Sequence, residues 1–321
     1  MEHLDERMRR VLSLHGGDGW RDDLERLKRG DTTLTRQTAG EAAIKALQRL
    51  LIFLGYSTAA SGAFLIDGDF GRGTNRGVAQ FQFEQKLNAR IRRRSLCYPC
   101  TFRTAKSNIT AIPKVTLTLR TLEKMIEAAT AAISDRKIPF GDFKEALFHL
   151  NSLDQRQSLD CRQIMARYGD AVYRAVATVA EEKGIKIAPE WILAIIRQET
   201  AGVSRPRFEQ HKLSKLNDKE PTTPLAELRV RSMSFGLGQI MGFNYQHVGA
   251  LSAEAMFYSP LQEQILFIAR FIAPKQSVVS KTDPTMPDFE AMARFYNGPA
   301  YAKHFYHERL QRWFREFRRL N

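Results

Sequence analysis

The chain has 321 residues, 43% of them hydrophobic and 26% charged. That composition belongs to a folded chain and excludes collagen, a largely disordered polypeptide and a disulfide-stapled miniprotein. Lysine and arginine number 49 against 35 acidic residues, a formal charge of +14, which favours polyanionic partners such as nucleic acid or an anionic cell envelope.

At about 150 residues per domain, roughly two domains are expected. No run approaches the roughly 20 apolar residues of a membrane span. The opening stretch, Met1-Glu-His-Leu-Asp-Glu-Arg7, is charged and lacks the apolar core of a secretory signal. Synthesis in the cytoplasm without a signal peptide is therefore expected. Three cysteines argue against a disulfide framework.

In chain order, Glu41–Leu54 places Ile44, Leu47, Leu50, Leu51 and Leu54 on one helical face. A glycine-punctuated stretch, Gly55 to Gly73, follows. Thr74 is a good N-cap type, so a second helix is expected from there to about Leu87, with Val78 and Phe81 inward. The next segment holds Arg90, Arg92, Arg93, Arg94, Arg103 and Lys106 with no acidic residue. A domain boundary is expected near residues 90–110. Val115, Leu117 and Leu119 alternate as a strand would. Helical spacing returns at Leu122–Ile133, Phe143–Leu150 and Ala171–Lys183, where Gly184 is the stop. Pro189 suits a first helical turn. The helix after it, Glu190–Thr200, is apolar almost throughout, as buried helices are.

Glu199 closes that apolar helix. A carboxyl there loses hydration, which disfavours its charged form. The partial negative charge of a helix C-terminus acts in the same direction. A carboxylic acid kept protonated near neutral pH is what general-acid cleavage of a glycoside requires. A surface glutamate paired with Arg197 or Arg205 is the ordinary alternative. Downstream, Ser234-Phe-Gly-Leu-Gly-Gln-Ile-Met-Gly242 is a glycine-rich apolar loop. Its glycines let backbone approach a ligand, and Ser234 and Gln239 offer uncharged polar groups suited to sugar hydroxyls. Phe295-Tyr-Asn-Gly-Pro299 is a turn signal, with Tyr296 and Asn297 able to hydrogen-bond a substrate or orient a carboxyl. A turn that only packs helices is the plain alternative for both segments.

Taken together, these segments resemble the goose-type and transglycosylase branch of the lysozyme superfamily. They resemble more closely the N-acetylmuramidase domain of phage endolysins, whose motifs correspond to Gly236-Leu-Gly-Gln-Ile-Met-Gly242 with Asn244, and to Tyr296-Asn-Gly-Pro-Ala-Tyr-Ala-Lys303. Phe208-Glu-Gln-His211 is similar to a further family segment. The resemblance implies Glu199 as catalytic acid, Gln239 and Ser234 lining the cleft, and Tyr296 and Asn297 positioning the acid and the sugar. It implies cleavage of MurNAc-β-1,4-GlcNAc bonds. Attack by water makes the enzyme a hydrolase; attack by the sugar's own 6-hydroxyl makes it a lytic transglycosylase. Glu209, Asp218, Glu220 and Glu227 all precede the loop, and nothing in the sequence selects one as a second carboxylate. The stretch from Glu199 to Phe208 is short for the family.

Earlier in the chain, Ala46-Leu-Gln-Arg-Leu-Leu51, Ile66-Asp-Gly-Asp-Phe-Gly-Arg-Gly-Thr74 and Val78-Ala-Gln-Phe-Gln82 resemble the small three-helix peptidoglycan-binding domain. That resemblance makes Asp67, Gly68, Phe70, Gly71 and Thr74 the wall-binding residues. The expected fold is mainly α: a small three-helix wall-binding domain and a helical lysozyme-like catalytic domain. The expected order is a helical extension over 1–39, the wall-binding domain over 40–88, a linker or helical spacer over 89–165, and the muramidase domain over 166–321.

Cys97-x-x-Cys100 lacks a second pair at zinc-site spacing. It reads as two plain cysteines, open to bridging in an oxidising periplasm. No metal ligand set appears and no cofactor is implied. Residues 307–321 form an amphipathic basic helix. Packing on its own domain is the usual fate of such a helix, and contact with anionic outer membrane or lipopolysaccharide is the other. A nucleic-acid binder would explain the charge but not the motifs. Peptidoglycan is therefore the expected partner, reached in the periplasm after release through a holin's membrane lesion or after injection into a rival cell. An injected effector would also need an immunity protein in its producer. A wall-binding protein with a decayed catalytic site is the non-enzymatic alternative.

Overall fold

The computed structural model describes residues 4–13, 19–31, 33, 35, 38–97 and 114–320. They are mainly helical, with a few short strands. Among them, no helix is long and apolar enough to cross a membrane. The chain divides into two compact units. One comprises Met1–Arg156, Pro206–Ser234 and Met241–Phe243; the other comprises Gln157–Arg205, Phe235–Ile240 and Asn244–Asn321.

The first unit starts with α1 (Glu6–Leu12) and α2 (Arg21–Lys28), followed by α3 (Glu41–Phe53) and α4 (Arg72–Glu84). Then come α5 (Arg93–Cys97), α6 (Leu119–Ser134) and α7 (Phe143–Asp154). Helix α3 is buried nearly all round, which marks a central helix. Its two polar residues in the middle, Gln48 and Arg49, are wholly unexposed. The Arg49 Nε donates to the Val11 carbonyl at 2.7 Å, and its Nη2 donates to Asn151 Oδ1 at 2.7 Å. The Asp154 carboxylate lies 3.4 Å from Nη1. Burial lowers the guanidinium pKa to about 10, with Asp154 opposing the shift. One buried cation thus ties α1 and α7 to α3.

Three details differ from the sequence expectation. Helix α4 starts at Arg72 with Gly71 as its N-cap, two residues before Thr74. Thr74 is unexposed, and its Oγ1 donates to the Asp69 carbonyl at 2.9 Å, so the hydroxyl secures the preceding loop rather than capping the helix. The 115–119 alternation makes no strand: Leu117 is a single-residue bridge and Leu119 opens α6. The Thr118 hydroxyl accepts from the Thr121 amide at 3.3 Å and starts that helix. Val115 and Leu117 are both buried, which accounts for the alternating pattern.

The chain then enters the second unit as α8 (Cys161–Lys183) and α9 (Pro189–Thr200). Helix α8 begins ten residues before the predicted Ala171, because Asp160 and Gln163 form a reciprocal capping box. Gly184 ends it at φ +67°, as expected. A return to the first unit supplies β1 (Arg207–Phe208), α10 (Gln210–Lys219), α11 (Leu225–Arg231) and β2 (Met233–Phe235). Strands β1 and β2 are antiparallel, with Arg207 opposite Ser234 and Phe208 opposite Met233. After β3 (Ile240–Met241), the second unit continues with α12 (Ala253–Tyr258), α13 (Leu261–Ile272), α14 (Gln276–Val279), α15 (Met286–Asn297) and α16 (Tyr306–Leu320).

Helix α9 is the axis of the second unit. Trp191 through Ile196 are all unexposed. The Trp191 ring lies 4.9 Å from the rings of both Phe289 and Phe314. Helix α16 turns Leu310, Phe314 and Phe317 inward and leaves Arg309, Arg312, Arg315 and Arg319 exposed. Its apolar stripe is therefore buried in its own unit. Cys97 and Cys161 are buried free thiols, pushed by desolvation up to about 11 and about 12. Cys100 lies outside the described residues.

The loop before α4 depends on Gln48. Its Oε1 accepts from the Asp67 and Gly68 amides, both at 2.9 Å, and its Nε2 donates to Asp67 Oδ1 at 2.7 Å. Changing Gln48 to leucine keeps the bulk and orphans those amides. A loss of about 1–3 kcal/mol is expected, since water can reach the freed amides and each lost hydrogen bond then costs about 0.5–1.5 kcal/mol. A lowered thermal midpoint of the first unit would register it; an unchanged midpoint would refute the role.

Candidate active site

Glu199 sits on the last turn of α9, which ends when Ala201 takes a left-handed conformation at φ +47°. The side chain is half-buried. Tyr306, at the start of α16, donates its hydroxyl hydrogen to Glu199 Oε1 at 2.5 Å. Desolvation raises the Glu199 pKa to about 7; the Tyr306 hydrogen bond and the nearby Arg309 charge oppose that rise. Desolvation therefore outweighs both. The Tyr296 and Tyr306 hydroxyls are held well above their usual range by burial and by the Glu199 charge.

The glycine-rich segment forms a tight turn between β2 and β3. Thr200 Oγ1, next to Glu199, donates to the Leu237 carbonyl at 3.0 Å and fastens that turn to the end of α9. The Tyr296 hydroxyl donates to the Gly238 carbonyl at 2.6 Å. A Cβ on Gly238 would fall 2.7 Å from that hydroxyl and 2.6 Å from Ile268 Cγ1, so only glycine permits this approach. Gly236 takes φ +72° at the head of the turn.

The structure thus brings Glu199, Tyr296 and the Gly236–Gln239 turn together. Gln239 is itself in a left-handed conformation at φ +51°, and its Nε2 donates back to the Gly236 carbonyl at 2.9 Å. Asn297 is exposed at the end of α15. Ser234 lies in β2 of the first unit. Tyr306 escaped the sequence reading: it is 107 residues from Glu199, and only its place at the head of an amphipathic helix distinguished it.

A cavity of about 300 Å³ adjoins Glu199, lined by Arg197, Gln198, Arg205, Arg309 and Trp313. Glu199 is the one carboxyl among its described lining residues. The four other candidate carboxylates belong to the first unit. There Glu220 accepts from Arg231 at 2.6 and 2.8 Å, which keeps it below the usual carboxylate range, and Glu209 lies 2.9 Å from Arg207. Among the described residues, no cluster of three or more metal-ligating side chains occurs.

Of the five residues assigned to wall contact, Asp67 is exposed and Gly68 and Gly71 are half-exposed. Phe70 and Thr74 are buried and support the loop from within. Gln48 holds that loop, and the sequence reading did not single it out.

Residues 226–318 match the N-acetylmuramidase family model. The chain carries a muramidase domain. It is thereby a glycoside hydrolase of the lysozyme type. Residues 40–89 match the peptidoglycan binding domain model, so peptidoglycan is the material on which this hydrolase acts. The muramidase match includes the glycine turn, Tyr296, Asn297 and Tyr306, and begins after Glu199. The crystal structure of a Burkholderia AP3 phage endolysin is 16% identical over 86% of this chain and 96% of its own, with a TM-score of 0.26. No curated protein matches the chain.

Proposed function

We propose that the protein lyses bacterial cells by hydrolysing MurNAc-β-1,4-GlcNAc bonds, with Glu199 as general acid and residues 40–88 as its anchor to the wall. The observation that carries the reading is the Glu199 carboxyl, raised to about 7 and fastened at Oε1 by Tyr306. Because Tyr306 donates to Oε1, the acid proton belongs on Oε2. From there it passes to the glycosidic oxygen as the bond to the anomeric carbon breaks. Water then adds to the oxocarbenium-like centre and releases its own proton. With one carboxyl lining the cavity, that water is oriented by neutral groups rather than by a second carboxylate.

Digestion of purified peptidoglycan, followed by borohydride reduction and mass spectrometry, tests the bond and the outcome. Reducible MurNAc ends support the proposal. Anhydro-MurNAc ends would make the enzyme a lytic transglycosylase, and reducible GlcNAc ends would move the cut to the other linkage. No fragments from folded protein would leave wall binding alone.

Tyr306→Phe provides a separate check. The Tyr306 hydroxyl favours the ionised carboxylate, so its loss raises the Glu199 pKa further. The alkaline limb of the pH–rate profile should move up by roughly one pH unit, the size expected for one hydrogen bond to a charged group. Tyr296 and Arg309 still face the carboxyl in the variant. A profile that stays in place while the rate changes would mean Tyr306 only packs.

A further inference from the structure

We propose that the cavity beside Glu199 is a carboxylate subsite, in which Arg197, Arg205 and Arg309 hold the lactyl carboxylate of a muramyl residue. This deepens the muramidase reading and rests on it. The lining is unusual for a site that takes neutral sugar. Hydroxyls and acetamides are normally met by uncharged polar groups and aromatic faces. Here three guanidiniums line about 300 Å³ beside a single carboxyl. Guanidinium forks match planar carboxylates, often with two parallel hydrogen bonds.

Each arginine is held in its own way. Arg205 Nη2 donates to the Gln157 carbonyl at 2.7 Å and to Ser158 Oγ at 3.2 Å, which orients its fork. The Arg197 guanidinium lies 4.5 Å from the centre of the Trp313 ring. Its Nε is buried, and the same guanidinium acts on the buried Cys161 thiol, so it meets the cavity through its outer nitrogens. Arg309 is exposed and near enough to Glu199 to act on its charge. Among the described residues, none of the three is in an ion pair. Trp313 is no sugar platform. Arg312 also approaches its ring, at 4.6 Å, and its Nε1 donates to Gln198 Oε1 at 3.3 Å. The indole holds the cations in place instead.

An unpaired cationic cavity beside the acid calls for an anionic group on the substrate close to the scissile bond. The lactyl ether of a muramyl sugar supplies one when no peptide is attached. A stem peptide supplies others, further from the ring. The cavity adjoins Glu199 itself, which favours the nearer source.

The test uses the full chain and three glycans of matched length: a neutral N-acetylglucosamine oligomer, glycan strands stripped of peptide, and strands with peptides intact. The ratio of kcat/KM on stripped strands to that on the neutral oligomer should favour stripped strands in the wild type. It should fall about tenfold in Arg205→Gln and in Arg309→Gln. A preference confined to peptide-bearing strands would overturn the lactyl assignment. Calorimetry on the Glu199→Gln chain gives a readout independent of turnover. MurNAc should bind at least fivefold more tightly than GlcNAc, and adding Arg309→Gln should erase the difference. Equal binding of the two sugars, or a difference that survives the arginine change, would sink the subsite. Absence of wild-type cleavage with the binding preference intact would instead remove the catalytic reading and leave the subsite standing.

Discussion

Replacing Glu199 by glutamine is expected to lower peptidoglycan cleavage by about 10²–10⁴-fold, the usual contribution of a positioned general acid. Glutamine has nearly the same shape, and its Oε1 can still accept from Tyr306. What it lacks is a transferable proton. The stability of the variant provides a second, independent readout. Burial raises the folded-state pKa of Glu199 to about 7, above the ordinary glutamate value of 4.5. Below the unfolded value, both states hold the proton and stability is unaffected. As pH rises from about 4.5 to about 7, the unfolded chain loses its proton first, so the folded state loses stability. At pH 8 the wild type therefore carries a burden on the order of a few kcal/mol that glutamine removes. Denaturant midpoints should coincide at pH 4 and favour Glu199→Gln at pH 8. Equal midpoints at both pH values would mean the carboxyl is not raised, and the acid assignment would lose its physical basis.

Arg229→Met should be the most destabilising single change in the first unit, at about 3–5 kcal/mol, because it strands a buried carboxylate. Arg229 and Glu84 are 145 residues apart, yet Nε and Nη2 of Arg229 meet the two Glu84 oxygens at 2.8 and 3.1 Å. The two side chains are only 7% and 8% exposed. The guanidinium lies 4.0 Å from the centre of the Tyr56 ring, and the Tyr56 hydroxyl donates to Glu84 Oε2 at 2.6 Å. Arg229 Nη1 also donates to the Gly55 carbonyl at 2.5 Å. Removing the arginine leaves Glu84 with Tyr56 alone among these partners. The double change Arg229→Met with Glu84→Leu should recover much of the loss, since it removes the orphaned charge. Calorimetry of the three variants decides: a double variant no better than the single would mean packing, not charge, dominates there.

The sequence made much of this molecule legible, and each success had a short-range cause. The 3.6-residue spacing of Ile44, Leu47 and Leu51 marked α3, and Gly184 marked the end of α8. The apolar run Trp191–Ile196 indicated a buried helix, and Glu199 at its end indicated a desolvated carboxyl. The errors were also local. Thr74 has the chemistry of a cap but spends its hydroxyl on a neighbouring loop. Leu117 alternates like a strand residue because it is buried next to a helix start.

By itself, the sequence determined the helical character, the two families to which its segments correspond, and the position of a carboxyl at the end of a buried helix. Those follow from patterns within a few turns of chain, which composition and spacing encode directly. The tertiary structure decided which groups set the chemistry of that acid. Tyr306 and Arg309 reach Glu199 from more than a hundred residues away, and Thr200 fastens a turn from another segment against the same helix end. A pKa depends on the hydration lost and on the dipoles and charges within a few ångströms, and folding alone brings those groups together.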